Sequence, residues 1–301
     1  VPKCIFLVPF LVTAGLWTVA QPVQAQALIP HVLQLDPVTL EQQGLRLAQE
    51  AAQLAQFQQY ELAIPRAQLA TQLIPQNPEV WALLGSLHIQ QEQIEEGFQQ
   101  EQINEGIAAL QQARSLDPQN SAILFALGSA YFRKEDYNQA IQFIQSGLRI
   151  DPEVPGALFD LGNAYYMLKQ YDKAIAQYEK AIDLDDEFWP AVNNIGLALY
   201  EQGDVGGALE QWREALKIDH NQAEPQLALA VVLHAQGNTE QALVAGEAAL
   251  RLDERYADPN FLQENLWGDR LLEHARIFLS LPRMQETLAQ IQREQNEAPP
   301  D

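Results

Sequence analysis

One cysteine in 301 residues, Cys4, leaves this chain unable to build an intrachain disulfide, so a small cross-linked domain is excluded. Positive charge is scarce too: 18 lysines and arginines stand against 40 aspartates and glutamates, a formal net charge of −22. Binding a phosphate backbone draws on clustered cations. None cluster here, which argues against nucleic acid and leaves a solvated acidic exterior. The five histidines, His31, His88, His220, His234 and His274, show no i,i+4 pairing and no Cys or carboxylate spacing that would hold a metal. Neither a glycine-rich phosphate loop nor a nucleophile elbow occurs. No catalytic group, metal or cofactor is therefore expected, and strand-like alternation is missing at any length.

What is present is a period. Asp117, Asp151, Asp185, Asp219 and Asp253 recur at one unvarying interval, each preceded by Leu or Ile. Such a fixed spacing means that one supersecondary unit is copied and stacked. Ala140, Ala174, Ala208 and Ala242 keep the same interval, as do Gly128, Gly162 and Gly196. Glycine in the first helix of the unit and alanine in the second are small where two helices must approach closely. Leu, Ile, Tyr and Phe at helical spacing fill the gaps between them. Short polar turns, at 169–172 and 202–204, separate the helices. The Asp-Pro pairs 117–118 and 151–152 close the second helix, because the residue before proline is pushed out of the α region. Hydrophobic residues make up 47% of the chain, enough for a continuous core. The expected fold class is all-α, a solenoid of helix–turn–helix repeats.

One unit reads Leu158-x-x-Leu161-Gly162-x-x-Tyr165, then Ala174-x-x-x-Tyr178-x-x-Ala181. This resembles the tetratricopeptide repeat, a helix–turn–helix unit of about 34 residues. The resemblance implies a right-handed α-solenoid and covers about 210 residues, roughly 70% of the chain. In that register six repeats are expected, at 44–77, 78–120, 121–154, 155–188, 189–222 and 223–256. The second is nine residues too long, because QEQIEEGFQ at 91–99 is followed at once by QEQINEGIA at 100–108. Nine residues would lengthen a helix by about 13 Å. As a surface loop they would disturb little.

The ends differ from the middle. Residues 4–20 form an apolar run after Lys3, followed by Val23-Gln24-Ala25; residues 1–25 read as a secretory signal peptide. An uncleaved anchor is the alternative, the run being about as short as a membrane span can be, and only then is a membrane a partner. No Lys or Arg follows until Arg46, so the repeats are expected outside the cytoplasm. The resemblance is to exported bacterial members of the family, and around 264–268 to cyanobacterial repeat proteins. It implies the periplasm or the thylakoid lumen. Residues 26–43 read as a linker. From 257 the period fails, and Leu271, Leu272, Ala275, Phe278 and Leu279 share one apolar face. Residues 257–294 are expected to cap the stack, with a docking helix as the alternative, and 295–301 to be a disordered tail.

The resemblance also implies where a partner sits. First helices line a concave groove, into which positions 2, 5, 6, 9, 12 and 13 of each repeat point. On this chain the third repeat supplies Phe125, Ser129, Phe132 and Arg133, and the fourth Phe159, Asp160, Asn163, Tyr166 and Met167. Asn193, Asn194, Leu197 and Tyr200 come from the fifth, and Leu227, Val231 and His234 from the sixth. Aromatic rings on a wall open to solvent call for cover by a partner; packing as ordinary core is the alternative. The amides of Asn163 and Asn194 suit an extended peptide backbone. Chaperone-binding members clamp a terminal carboxylate with three cations, but Phe159, Glu224 and Ala228 stand at those positions, so no acidic chaperone tail is expected. The function implied is a non-catalytic protein-binding scaffold or assembly factor that holds a peptide in this groove. The alternative is assembly through the convex face or the C-terminal helices.

Overall fold

The structure, a computed structural model, describes residues 36–91 and 99–297. The expected signal peptide or anchor, most of the linker, most of the first duplicated copy and the last four residues lie outside the described residues. Among those described are fifteen α-helices and one 3-10 helix, with no strand. The fold is an all-α solenoid, built from consecutive helix pairs.

The pairs run α1 (Pro37–Gln56) with α2 (Tyr60–Leu73), α3 (Pro78–Gln91) with α4 (Gln99–Leu116), and α5 (Ser121–Arg133) with α6 (Tyr137–Leu148). They continue with α7 (Pro155–Met167) and α8 (Tyr171–Leu184), α9 (Trp189–Gln202) and α10 (Val205–Ile218), and α11 (Ala223–Ala235) and α12 (Thr239–Leu252). Helix α4, which holds the second duplicated copy, has 18 residues where α6, its counterpart in the next pair, has 12. Within a pair, the first helix is called A and the second B below.

The described turns between A and B are made the same way. Gln58, Glu135, Lys169, Gly203 and Gly237 all have positive φ, between 56° and 95°, and the last four recur at the interval of the aspartates. A left-handed residue stops helix A and turns the chain back. Only two of these positions hold glycine, the residue that adopts this conformation without strain. At Glu135 and Lys169 the chain accepts a strain of about 1 kcal/mol for the same turn. Helix B then starts on a side-chain cap where one is available: Asp136 accepts from the Gln139 amide and Asp204 from the Gly207 amide.

Small residues on helix A receive large ones from helix B. A β-carbon at Gly85 would strike Leu110; the corresponding partners are Ile144 for Gly128, Tyr178 for Gly162 and Trp212 for Gly196. All four large side chains are fully buried. Ala140, Ala174, Ala208 and Ala242 are completely buried as well, where helix B meets helix A. The last pair inverts this order. Ala230 takes the glycine position on α11, and Gly246 stands on α12 where a large knob is due. The missing volume comes from beyond the repeats: Phe278 and Met284 fill the space over Gly246.

These two residues belong to the segment that follows the period: a 3-10 turn, η1 (Glu254–Ala257), then α13 (Pro259–Glu264), α14 (Asp269–Leu279) and α15 (Pro282–Glu297). Helix α15 packs on α12, whereas α14 packs on α11 and α9, both A helices. The apolar face of α14, Leu271, Leu272, Ala275, Phe278 and Leu279, is buried throughout.

Candidate protein-interaction surface

The A-helix face changes character along its length. In the third and fourth pairs it is partly open. Phe125 lies over Gly147 on its own B helix, and Phe159 packs against Tyr178 and Phe188, with ring centroids 5.7 and 5.4 Å away. Both rings are half-buried, and Phe132 lies edge-on to Tyr137. The Ser129 hydroxyl donates to Asp160 Oδ2 across 3.2 Å, tying α5 to α7. Burial pushes the Asp160 carboxyl up to about 6, against the opposing pull of Ser129 and the Arg133 charge. Arg133 itself is exposed at the end of α5.

Next along the face is a ladder of amides. Asn163 Oδ1 accepts from the Tyr178 hydroxyl at 2.8 Å and from Asn194 Nδ2 at 3.0 Å. Asn194 Oδ1 in turn accepts from Asn193 Nδ2 at 3.1 Å. The Tyr178 hydroxyl, sealed in the core, is held far above its ordinary pKa by loss of solvent. The expectation that Asn163 and Asn194 present free amides to a peptide backbone therefore meets a different arrangement. Their hydrogen bonds run inward and join α7 to α8 and α9. Asn193 Oδ1 and the Tyr166 hydroxyl, both buried, have no hydrogen-bond partner.

In the fifth and sixth pairs the face is closed, and the closure comes from the chain itself. Tyr200 is 1% exposed; its hydroxyl is 2.5 Å from His274 Nδ1, and the Arg270 guanidinium lies 4.8 Å over its ring. Arg270 also donates to the Tyr200 carbonyl at the end of α9. Glu201 accepts from the backbone amide of Leu271 at 3.1 Å and of Arg270 at 3.4 Å. A carboxylate at that place satisfies free N–H groups at the start of α14 and meets the positive end of its dipole. The His234 ring lies tilted against that of Phe278, centroids 5.5 Å apart, and Leu227 and Val231 are completely buried. Tyr200 and His234, expected on an open groove, thus lie against α14, and Asn193, expected there too, is buried beside Asn194 and Glu224. An amphipathic helix with five buried apolar residues needs cover, and these A helices supply it.

One buried contact of this segment is polar. The Trp267 indole, 2% exposed, donates from Nε1 to Glu224 Oε1 at 3.1 Å. Loss of solvent pushes the Glu224 carboxyl up to about 7, opposed by hydrogen bonding from Trp267 and Asn193. Glu224, which occupies a cation position of the chaperone clamp, here accepts the anchor of the chain's own terminal segment. Trp267, Glu201 and Arg270 are not among the residues the sequence points to, and His274 enters there only as one of five histidines without metal-ligand spacing. One signal was available: α11 is apolar on every side, and a helix apolar all round is covered on every side. Among the described residues no group of His, Cys, Asp or Glu is placed to hold a metal, and no helix is long and apolar enough to cross a membrane.

An array of stacked A–B helix pairs defines an α-solenoid repeat protein. The particular repeat is supported by family profiles: those described as tetratricopeptide repeat match residues 98–153 and 155–188, and one described as TPR repeat matches 196–237. No curated protein matches the chain. Among solved structures, a MamA fragment from Desulfovibrio magneticus RS-1 is similar at 17% identity and a TM-score of 0.52, over 60% of this chain and 97% of that one. TTC0263, a TPR protein of Thermus thermophilus, is similar at 19% identity and a TM-score of 0.50, over 64% of this chain and 99% of that one. At these identities the likeness establishes the fold.

Proposed function

We propose that the chain is a non-catalytic protein-binding scaffold that holds a partner segment on the A-helix face of its third and fourth repeats. The observation that carries this reading is α14. The same face, two repeats further on, already holds a helix of this chain by an apolar stripe, a buried tryptophan and a carboxylate on the helix start. Where α14 ends, the face continues as Phe159, Asp160, Ser129, Phe132 and Phe125, partly open and without such a cover among the described residues. With its far end filled, the surface accepts a partner only from the N-terminal side. The apolar run 4–20 supports a place outside the cytoplasm, in the periplasm or thylakoid lumen, which N-terminal sequencing of the purified protein checks.

Gly156 gives the test. It is exposed on α7, and a β-carbon there would meet nothing within 4 Å. A photo-crosslinking residue at 156 should capture a discrete partner in the native compartment, and Gly156→Arg should abolish capture while the helix signal and melting stay unchanged. Capture that survives Gly156→Arg, or that occurs only from the B-helix side, would overturn the reading.

A further inference from the structure

The B-helix side carries a crevice that recurs with the period. It opens between consecutive repeats, once over Leu124 and Ile150 and again, one repeat further on, over Leu158 and Leu184, with volumes of about 430 and 440 Å³. Leu124 and Leu158 form the buried floor, and the half-exposed Ile150 and Leu184 form the rim. Stacking alone therefore makes the cavity, and the residues that differ between the copies reveal what one of them is equipped to do.

In the first copy two arginines line the wall. The Arg114 guanidinium lies 5.2 Å over the Phe143 ring, whose other neighbour is the stacked ring of Tyr131. Arg149 donates from Nη2 to Ser146 Oγ at 2.7 Å, and that serine lines the same crevice. In the second copy the equivalent positions hold Leu148 and Asp183. The arginines are thus a property of this one interface, and among the described residues no carboxylate lines the crevice beside them. The neighbouring Asp117 accepts from Asn120 instead. In a chain with 40 acidic and 18 basic side chains, two cations lining one cleft of mixed polar and apolar character are an exception to the prevailing charge.

We infer that this crevice is a second binding site, for an acidic peptide segment in which a carboxylate adjoins an aromatic or aliphatic side chain. The guanidiniums of Arg114 and Arg149 receive the carboxylate by charge-assisted hydrogen bonds. The floor of Leu124 and the edge of Phe143 take the apolar side chain. The acidic remainder of the surface repels acidic chains elsewhere and confines them to this cleft.

The probe is the capped tripeptide acetyl-Glu-Phe-Asp-amide, titrated into the ¹⁵N-labelled full chain while the arginine Nε–H resonances are followed. Those of Arg114 and Arg149 should move saturably at millimolar peptide, and less as salt is raised. Arg114→Leu and Arg149→Asp should each weaken binding about tenfold, the ratio for one charge-assisted hydrogen bond. Both substitutions copy the residues that the next repeat carries at these positions, where Gln177 and Lys180 replace Phe143 and Ser146, so Arg149→Gln provides a milder second variant and the helix signal of each variant is compared with the parent's. The proposal is overturned if neither resonance moves, if acetyl-Gln-Phe-Asn-amide moves them equally, or if the variants bind as tightly as the parent chain.

Discussion

Replacing Glu224 with glutamine asks whether the seam beneath α14 holds a neutral acid. The carboxyl is 8% exposed, accepts the Trp267 indole, and is raised from its ordinary 4.5 to about 7 by burial. Because the folded chain binds this proton more tightly than the unfolded chain, stability is greatest below pH 4.5, where both states are protonated. It falls as the unfolded chain ionises between 4.5 and about 7, and is level above. A rise from 4.5 to about 7 corresponds to about 3 kcal/mol across that window. Glutamine has no proton to lose and keeps an oxygen for the indole. Asp160, raised from 3.8 to about 6, adds a fall of the same sign in both proteins and cancels from the difference. Urea melts at pH 4 and pH 8, followed by helix signal and tryptophan emission, should show Glu224→Gln matching the parent at acid pH and exceeding it by up to about 3 kcal/mol at pH 8. A gap that does not change with pH, or a variant weaker at pH 8, would refute the reasoning.

Two further substitutions probe the packing. Gly196→Ala drives a β-carbon into the Trp212 indole, and this overpacking should lower stability by about 1–3 kcal/mol in chemical melts. Phe278→Ala empties the space over Gly246; a loss of about 3–5 kcal/mol is expected, with amide exchange accelerated in α14 and α15 before it changes in α5 to α8.

The helix pairs were legible because the period is written in residues whose size is constrained twice, once within a repeat and once between neighbours. Gly162 and Tyr178 are such a pair, and both keep the phase of the repeat. The occupant of the A-helix face was less legible. The stripe on α14 shows that the helix packs, but a stripe is silent about which of two neighbouring surfaces receives it. Trp267 and Glu224 are 43 residues apart and outside any common period, so no spacing connects them. Asn163 and Asn194 were read as donors to a guest because polar groups on a helix face have no partner in the sequence; the partner, Tyr178, stands on a different helix. The swap of Ala230 and Gly246 was visible as a break in phase, and only the packing of Phe278 gives it meaning.

Helix α14 bridges α9 and α11, so two adjacent repeats are braced across the side on which a solenoid flexes. Deformation is then distributed unevenly. The C-terminal third is stiff, while the span from α3 to α8 keeps the compliance of ordinary stacked repeats. A guest that needs the array to widen or tighten draws that adjustment from this span alone, as a beam clamped at one end bends only along its free length.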